Sequence, residues 1–102
     1  MIVFIQIGNS DDKLTQREWS QFIEEVRELI LLDSTVIGEW FSAPDQPWQN
    51  VCWMYEIAER NRGADMSHLR RLCAKYRQDS IAWTEAPRTL FLSPSTQEEE
   101  AE

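Results

Sequence analysis

The chain is poor in the residues that build most catalytic and metal centres. It has one histidine, His68, and two cysteines, Cys52 and Cys73. One histidine excludes a His-rich zinc centre, and the three residues lack zinc-finger spacing. No CxxC pair exists, and without a secretion signal the cysteines are read as reduced and mostly buried. His68 and Cys73 lie five apart on one predicted helix, which puts them on different faces and speaks against a Cys–His nucleophile. GxSxG, P-loop and HExxH motifs are missing. No apolar run approaches the roughly 18 residues of a membrane span. Met1–Ile7 is apolar from its start, has no basic leader and is too short for a signal peptide's hydrophobic region, so it reads as structure. These absences favour a cytoplasmic protein that is not an enzyme, needs no cofactor or metal, and has no membrane partner.

What is present suits one domain. The sequence has 102 residues, and Leu, Ile, Val and Phe make up 24 of them. That is above the roughly 20% level below which disorder becomes the default. Eighteen acidic residues against ten basic ones give a net charge of −8. An acidic chain lacks the Lys and Arg that replace phosphate counterions, so nucleic acid is not an expected partner. Four of the acidic groups, Glu98, Glu99, Glu100 and Glu102, fall in the last ten residues. Residues 93–102 are read as a disordered acidic tail, and residues 1–92 as the domain.

The order of elements follows from periodicity. Ile2–Ile7 is β-branched and aromatic and is stopped by Gly8–Asp12, which predicts a strand and a turn. Thr15-Gln16-Arg17-Glu18 has the capping-box form. Trp19, Phe22, Ile23, Val26, Leu29 and Ile30 follow it at helical spacing, which predicts a helix ending near Asp33-Ser34. Thr35–Phe41 and Trp48–Ile57 read as strands of a hairpin whose loop holds Pro44 and Pro47. Val51, Trp53, Tyr55 and Ile57 share one face of the second of these. Arg60–Gly63 reads as a polar break before a second helix capped by Asp65 or Ser67, with Met66, Leu69, Leu72, Cys73 and Tyr76 as its apolar stripe. Ser80–Thr84 is the fourth strand, and Thr89–Leu92 is a possible short fifth. The sum is a β-α-β-β-α-β, ferredoxin-like α+β fold, with a four-stranded antiparallel-rich sheet and two helices on one face.

Three surfaces follow from that topology. One end of the sheet should join Asn9, Asp11 and Asp12 to Gln78, Asp79 and Ser80. This is a candidate polar or metal site, or simply capping and turn chemistry around two helix ends. The opposite end is expected to hold Trp40, Phe41, Pro47 and Trp48, with Pro87 nearby. Trp is enriched at interface hot spots, although such rings also cap small cores. The sheet face away from the helices should carry Phe4, Gln6, Trp40, Cys52, Met54 and Ala82. A solvated sheet face is normally polar, and this one is largely apolar, which marks an association surface unless the chain after Pro87 covers it. Aromatics on a sheet also suit RNA, but no RNP-type motif is present. Basic residues cluster between Arg60 and Arg77, while the first helix is acidic. The two helices are thus expected to support each other across their seam, the alternative being a basic helix that docks an acidic partner.

Ile5–Gln16, Gly38–Ser42, Trp48–Trp53 and Tyr76–Trp83 together resemble small uncharacterised proteins of actinobacteria and their phages. The resemblance covers most of the chain except the tail. It implies an accessory protein inside the cell and transfers no functional residue. The function expected from the residues is a non-enzymatic protein-interaction module. It would bind a host protein or a second copy through Phe4, Trp40, Phe41, Pro47, Trp48 and Met54. The alternative is a small-ligand or metal-dependent enzyme at the Asn9–Asp12 and Gln78–Ser80 end.

Overall fold

A computed structural model of the chain describes residues 1–9, 12–33, 35–46 and 48–94. It is an α+β fold with a four-stranded antiparallel sheet and two helices, consistent with a ferredoxin-like arrangement. The elements run β1 (Ile2–Gly8), α1 (Gln16–Asp33), β2 (Thr35–Phe41), β3 (Asn50–Glu56), a short 3-10 turn (Glu59–Asn61), α2 (Arg62–Lys75) and β4 (Ala82–Ala86). The strands lie in the order β2-β3-β1-β4. The anticipated acidic tail from residue 95 onward lies outside the described residues.

The two most apolar strands, β1 and β3, occupy the middle, where both edges find neighbours. Val3 pairs with Tyr55, Ile5 with Trp53 and Ile7 with Val51. All six are buried and point to the helical side. The α1 stripe of Trp19, Phe22, Ile23, Val26, Leu29 and Ile30 joins them, together with Leu69, Leu72 and Tyr76 from the second helical segment. Phe22 and Tyr76 stack with centroids 4.7 Å apart, so both helices cover the same face. Each large apolar side chain removed from water here contributes roughly 2 kcal/mol.

The capping box forms as its spacing demands. The Glu18 amide donates to Thr15 Oγ1 at 3.1 Å, and the Thr15 amide donates to Glu18 Oε1 at 3.0 Å. The α2 boundary differs from expectation. Arg60–Gly63 is helical rather than a break, and Asn61 holds the cap position with no side-chain bond. Asp65 is buried inside the helix instead of capping it. The reason is packing, because docking Leu69 and Leu72 on the sheet carries the preceding turn into helical geometry and overrides its weak local preference.

Two strands are also displaced along the chain. β3 begins at Asn50 rather than Trp48, and the Asn9 amide donates to the Gln49 carbonyl at 2.8 Å at the next position of the β1–β3 register. β4 runs over Ala82–Ala86 rather than 80–84, and Pro87, lacking an N–H, stops it. No fifth strand forms among the described residues. Thr89–Leu92 carries no regular structure, and Leu90, Phe91 and Leu92 stand out in solvent. A return beside β4 needs a tight turn, and Pro87-Arg88-Thr89 offers no Gly, Asn or Asp to make one.

Candidate functional site

The face of the sheet opposite the helices is built from the even-numbered positions of β1, β3 and β4. Phe4 pairs with Met54 and Thr84, and Gln6 with Cys52 and Ala82. Trp40 of β2 sits opposite Cys52. The six residues expected to share this face do share it. Phe4, Cys52 and Met54 are half-buried, and Trp40 is 52% exposed. The helices, which pack on the other face, do not cover them. The chain beyond Pro87, which might have done so, leaves Phe91 92% and Leu92 91% exposed.

Trp40 reaches this face through an irregularity. The β2–β3 register shifts between Val36 and Gly38, so Ile37 is an extra residue. Val36 faces Tyr55 on the helical side, and after the bulge Glu39 faces Trp53 on that same side. Without the bulge, Glu39 would point outward and Trp40 inward. The Trp40 indole folds back over Gly38, where an added Cβ would stand 2.5 Å from the ring. Glycine is therefore what lets the ring lie flat on the strand.

Glu39 is the buried-side counterpart of Trp40, and the sequence did not single it out. Its Oε2 accepts from Trp53 Nε1 at 2.9 Å and from Arg27 Nε at 3.0 Å, and its Oε1 accepts from Arg27 Nη2 at 2.5 Å. Arg27 also pairs with Glu24. The Arg27 fork, with help from the indole N–H, holds the Glu39 carboxyl below the usual carboxylate range despite partial burial. The available signal was an acidic residue in the middle of an otherwise apolar strand.

The polar end is assembled largely as expected, but its groups are already in use. Asn9 is 1% exposed. Its Nδ2 donates to the Leu14 carbonyl at 3.1 Å and to Gln49 Oε1 at 3.2 Å, and its Oδ1 accepts from the Leu14 amide at 3.1 Å. Gln49 and Gln16 exchange side-chain bonds of 3.0 and 2.8 Å. Lys13 pairs with Asp79 at 3.1 Å, and Arg77 donates to the Lys13 carbonyl, which ties the two loops together. Asp12 is exposed with a left-handed backbone, and Asp11 lies outside the described residues. Gln78 Nε2 donates to the Tyr76 carbonyl at 3.0 Å. No group of His, Cys, Asp and Glu among the described residues is arranged to hold a metal. Gln78, Asp79 and Ser80 line a shallow cleft of about 320 Å³ with Gln6, Gly8 and Asn50. Burial, and secondarily Asp79, push the Cys73 thiol upward.

One placement is corrected. The β2–β3 loop belongs to this same polar end, because β1 and β3 are antiparallel and the C-terminus of β1 meets the N-terminus of β3. Gly8 pairs with Asn50, and Pro87 follows Ala86 at the other end, opposite Ile2. Trp40 and Phe41 also point to opposite faces. Phe41 is exposed at the strand terminus on the helical side, and Trp48 is exposed in the loop. Pro47 lies outside the described residues. The expected aromatic knob is therefore not one surface, and only Trp40 of its rings belongs to the open face.

The helix seam carries the expected pairing of charge. Lys75 meets Glu25 at 2.5 Å, and Arg77 meets Glu18 at 2.9 Å. Arg62 instead reaches Glu85 on β4. No family model, curated protein or solved structure matches this chain. No helix of the described residues is long and apolar enough to cross a membrane.

Proposed function

We propose that the protein is a ferredoxin-like, non-enzymatic docking module of the cytoplasm, which binds a protein surface with the open face of its sheet. It acts as an accessory protein, in keeping with its resemblance to small actinobacterial and phage proteins. One observation carries the reading. The face lies away from the helices, is apolar around the half-buried Phe4 and Met54 and the exposed Trp40, and carries Glu56 as a charged residue at its edge in a chain that is 27% charged. Exposed sheet faces are ordinarily polar, and contiguous apolar surface marks association. The polar end supports catalysis less well. Asn9 and Gln49 are consumed in holding the loops, and Asp79 is paired with Lys13.

A photo-crosslinking side chain placed at Thr84, on the open face, tests this in the producing cell. A discrete adduct with a second polypeptide is expected at Thr84, and none above background from the same probe at Arg71 on α2. No adduct at Thr84 would end the docking reading.

A further inference from the structure

The outer edge of β4 has no neighbouring strand, because β4 ends the order β2-β3-β1-β4. Its pairing with β1 runs without a shift from Ala86 opposite Ile2 to Ala82 opposite Gln6. Alternate residues of such a strand direct their N–H and C=O groups away from the partner. Among the described residues, no hydrogen bond reaches the β4 backbone from that outer side. The other edge strand, β2, is interrupted by the bulge at Ile37, a device that spoils an edge for further pairing. β4 has no bulge, no lysine and no proline within Ala82–Ala86. Of the two edges, it is the regular one.

A cleft of about 270 Å³ lies beside that edge, between α2 and β4. Met66, Leu69 and Cys73 form its helix wall, and Ile81 and Trp83 its strand wall. The strand wall is fixed in place. Trp83 Nε1 donates to Glu85 Oε1 at 3.0 Å, Glu85 is held by Arg62, and the indole stands edge-on to Tyr55 at 6.3 Å. Small-molecule pockets run from about 300 to 1,000 Å³, so this cleft is sized for an aliphatic side chain rather than for a whole ligand. Free backbone groups beside a slot for alternate side chains are what recognises an extended peptide.

Charge sets the character of that peptide. Arg70 borders the cleft. Arg62, Lys75 and Arg77 each meet a carboxylate, whereas Arg70 meets none among the described residues. Asp79, the acid on the same rim, is paired with Lys13. The Arg70 guanidinium is therefore the uncompensated charge of the cleft. The net charge of −8 does not override it, since charges more than about 8 Å apart are largely screened at physiological salt.

We propose that the β4 edge is a second docking site, and that it takes an extended, acidic segment of another protein. The segment adds as a strand along Ala82–Ala86, seats an aliphatic side chain between α2 and β4, and sets a carboxylate against Arg70. This site is separate from the open face, and either can fail alone.

Selection of a phage-displayed library of random twelve-residue peptides on the purified full chain tests it. Enriched peptides are expected to alternate apolar and polar residues, to carry Asp or Glu, and to lack proline. Fluorescence anisotropy of a synthesised winner should show one-to-one binding. Arg70→Glu, at an exposed helix position, should raise its dissociation constant at least tenfold, about 1.4 kcal/mol, with an unchanged circular dichroism spectrum. Arg71→Glu, about 100° round the helix, should leave binding intact. A backbone N-methyl group should abolish binding at one residue of the peptide and be tolerated at the next, because only alternate amides face the edge. Binding indifferent to Arg70→Glu or to N-methylation overturns the proposal, and so does a selection that enriches nothing. A selection that succeeds only on Leu90→Ser gives the cleft to the chain's own arm, and a dimer dissolved by Arg70→Glu gives it to a second copy. Both also overturn the proposal. A Thr84 adduct that persists in Arg70→Glu belongs to the open face and upholds the docking reading whatever the fate of this one.

Discussion

Glu39 shows how one side chain serves both faces of the sheet. Inward, its carboxylate satisfies the indole N–H of Trp53, a ring with no exposure to water, and it anchors Arg27 on α1. Outward, its presence on the helical side is what turns the next residue, Trp40, to the open face. Removing a charged partner from a buried donor costs the donor's desolvation, about 1–3 kcal/mol. Glu39→Gln should therefore lower unfolding stability by about 2 kcal/mol in urea denaturation, with the Trp53 and Arg27 donors left poorly matched. A loss below about 0.5 kcal/mol, the level of an ordinary surface substitution, would show that the fork is dispensable. Asn9 is the second such residue. It is polar and fully enclosed, and its amide bonds only to loop groups of the protein, so its role is to fix the β1–α1 connection.

Among the elements, β2 is the one whose form decides the candidate surface. A regular seven-residue strand would present Ile37 and Glu39 outward, and the bulge replaces that with Gly38 and Trp40. Gly38→Ala forces the Trp40 ring away from the strand, because the new methyl would occupy its place. The fold should persist, since the clash lies at the far end of a solvent-facing side chain. Acrylamide quenching of tryptophan emission should rise as the ring swings into water, and unchanged quenching would mean that the ring does not rest on Gly38. The end of α2 shows a related compromise. Arg77 takes the left-handed position that glycine usually fills, with the Gln78 amide bonded to the Cys73 carbonyl and the Arg77 amide to that of Ala74. Its guanidinium reaches Glu18 and the Lys13 carbonyl, bonds that glycine could not make and that offset the backbone cost.

For the whole molecule, charge sets the pH range of stability. Glu18 lies below its ordinary value of 4.5, first through the Thr15 amide and then through Arg77. Glu39 lies low through Arg27, and Glu85 through Arg62. For Glu25, burial pushes upward but Lys75 and Tyr76 more than offset it. Carboxyls that are more acidic in the folded state stabilise it above their unfolded value, and this stability is lost as pH falls through the folded values. Tyr76 acts in the opposite sense. Burial, then the nearby Glu25, push its hydroxyl from 10 to about 12. A group with a raised value keeps its full contribution below the unfolded value, and stability is lost as pH rises from about 10 to about 12. Thermal midpoints should accordingly be flat near neutrality, fall below pH 4.5, and fall again above pH 10. Tyr76→Phe should flatten the alkaline limb, and an unaltered limb in that variant would assign it elsewhere.

Periodicity alone determined the helices, the central strands, the capping box at Thr15 and Glu18, and the Phe4, Cys52 and Met54 part of the open face. Each depends on side-chain spacing of 3.6 or 2, which is written directly in the residue order. Contacts between distant segments decided the rest. The bulge at Ile37, the inward turn of Glu39 and the capture of Gln49 by Asn9 arise because an antiparallel partner offers its own hydrogen bonds in a fixed register. The start of α2 was likewise set by burial of Leu69 and Leu72, which outweighs the local preference of Arg60–Gly63. Thr89–Leu92, apolar enough to read as a strand, forms none beside the free edge of β4, because a strand needs a turn that returns the chain to that edge as well as the edge itself.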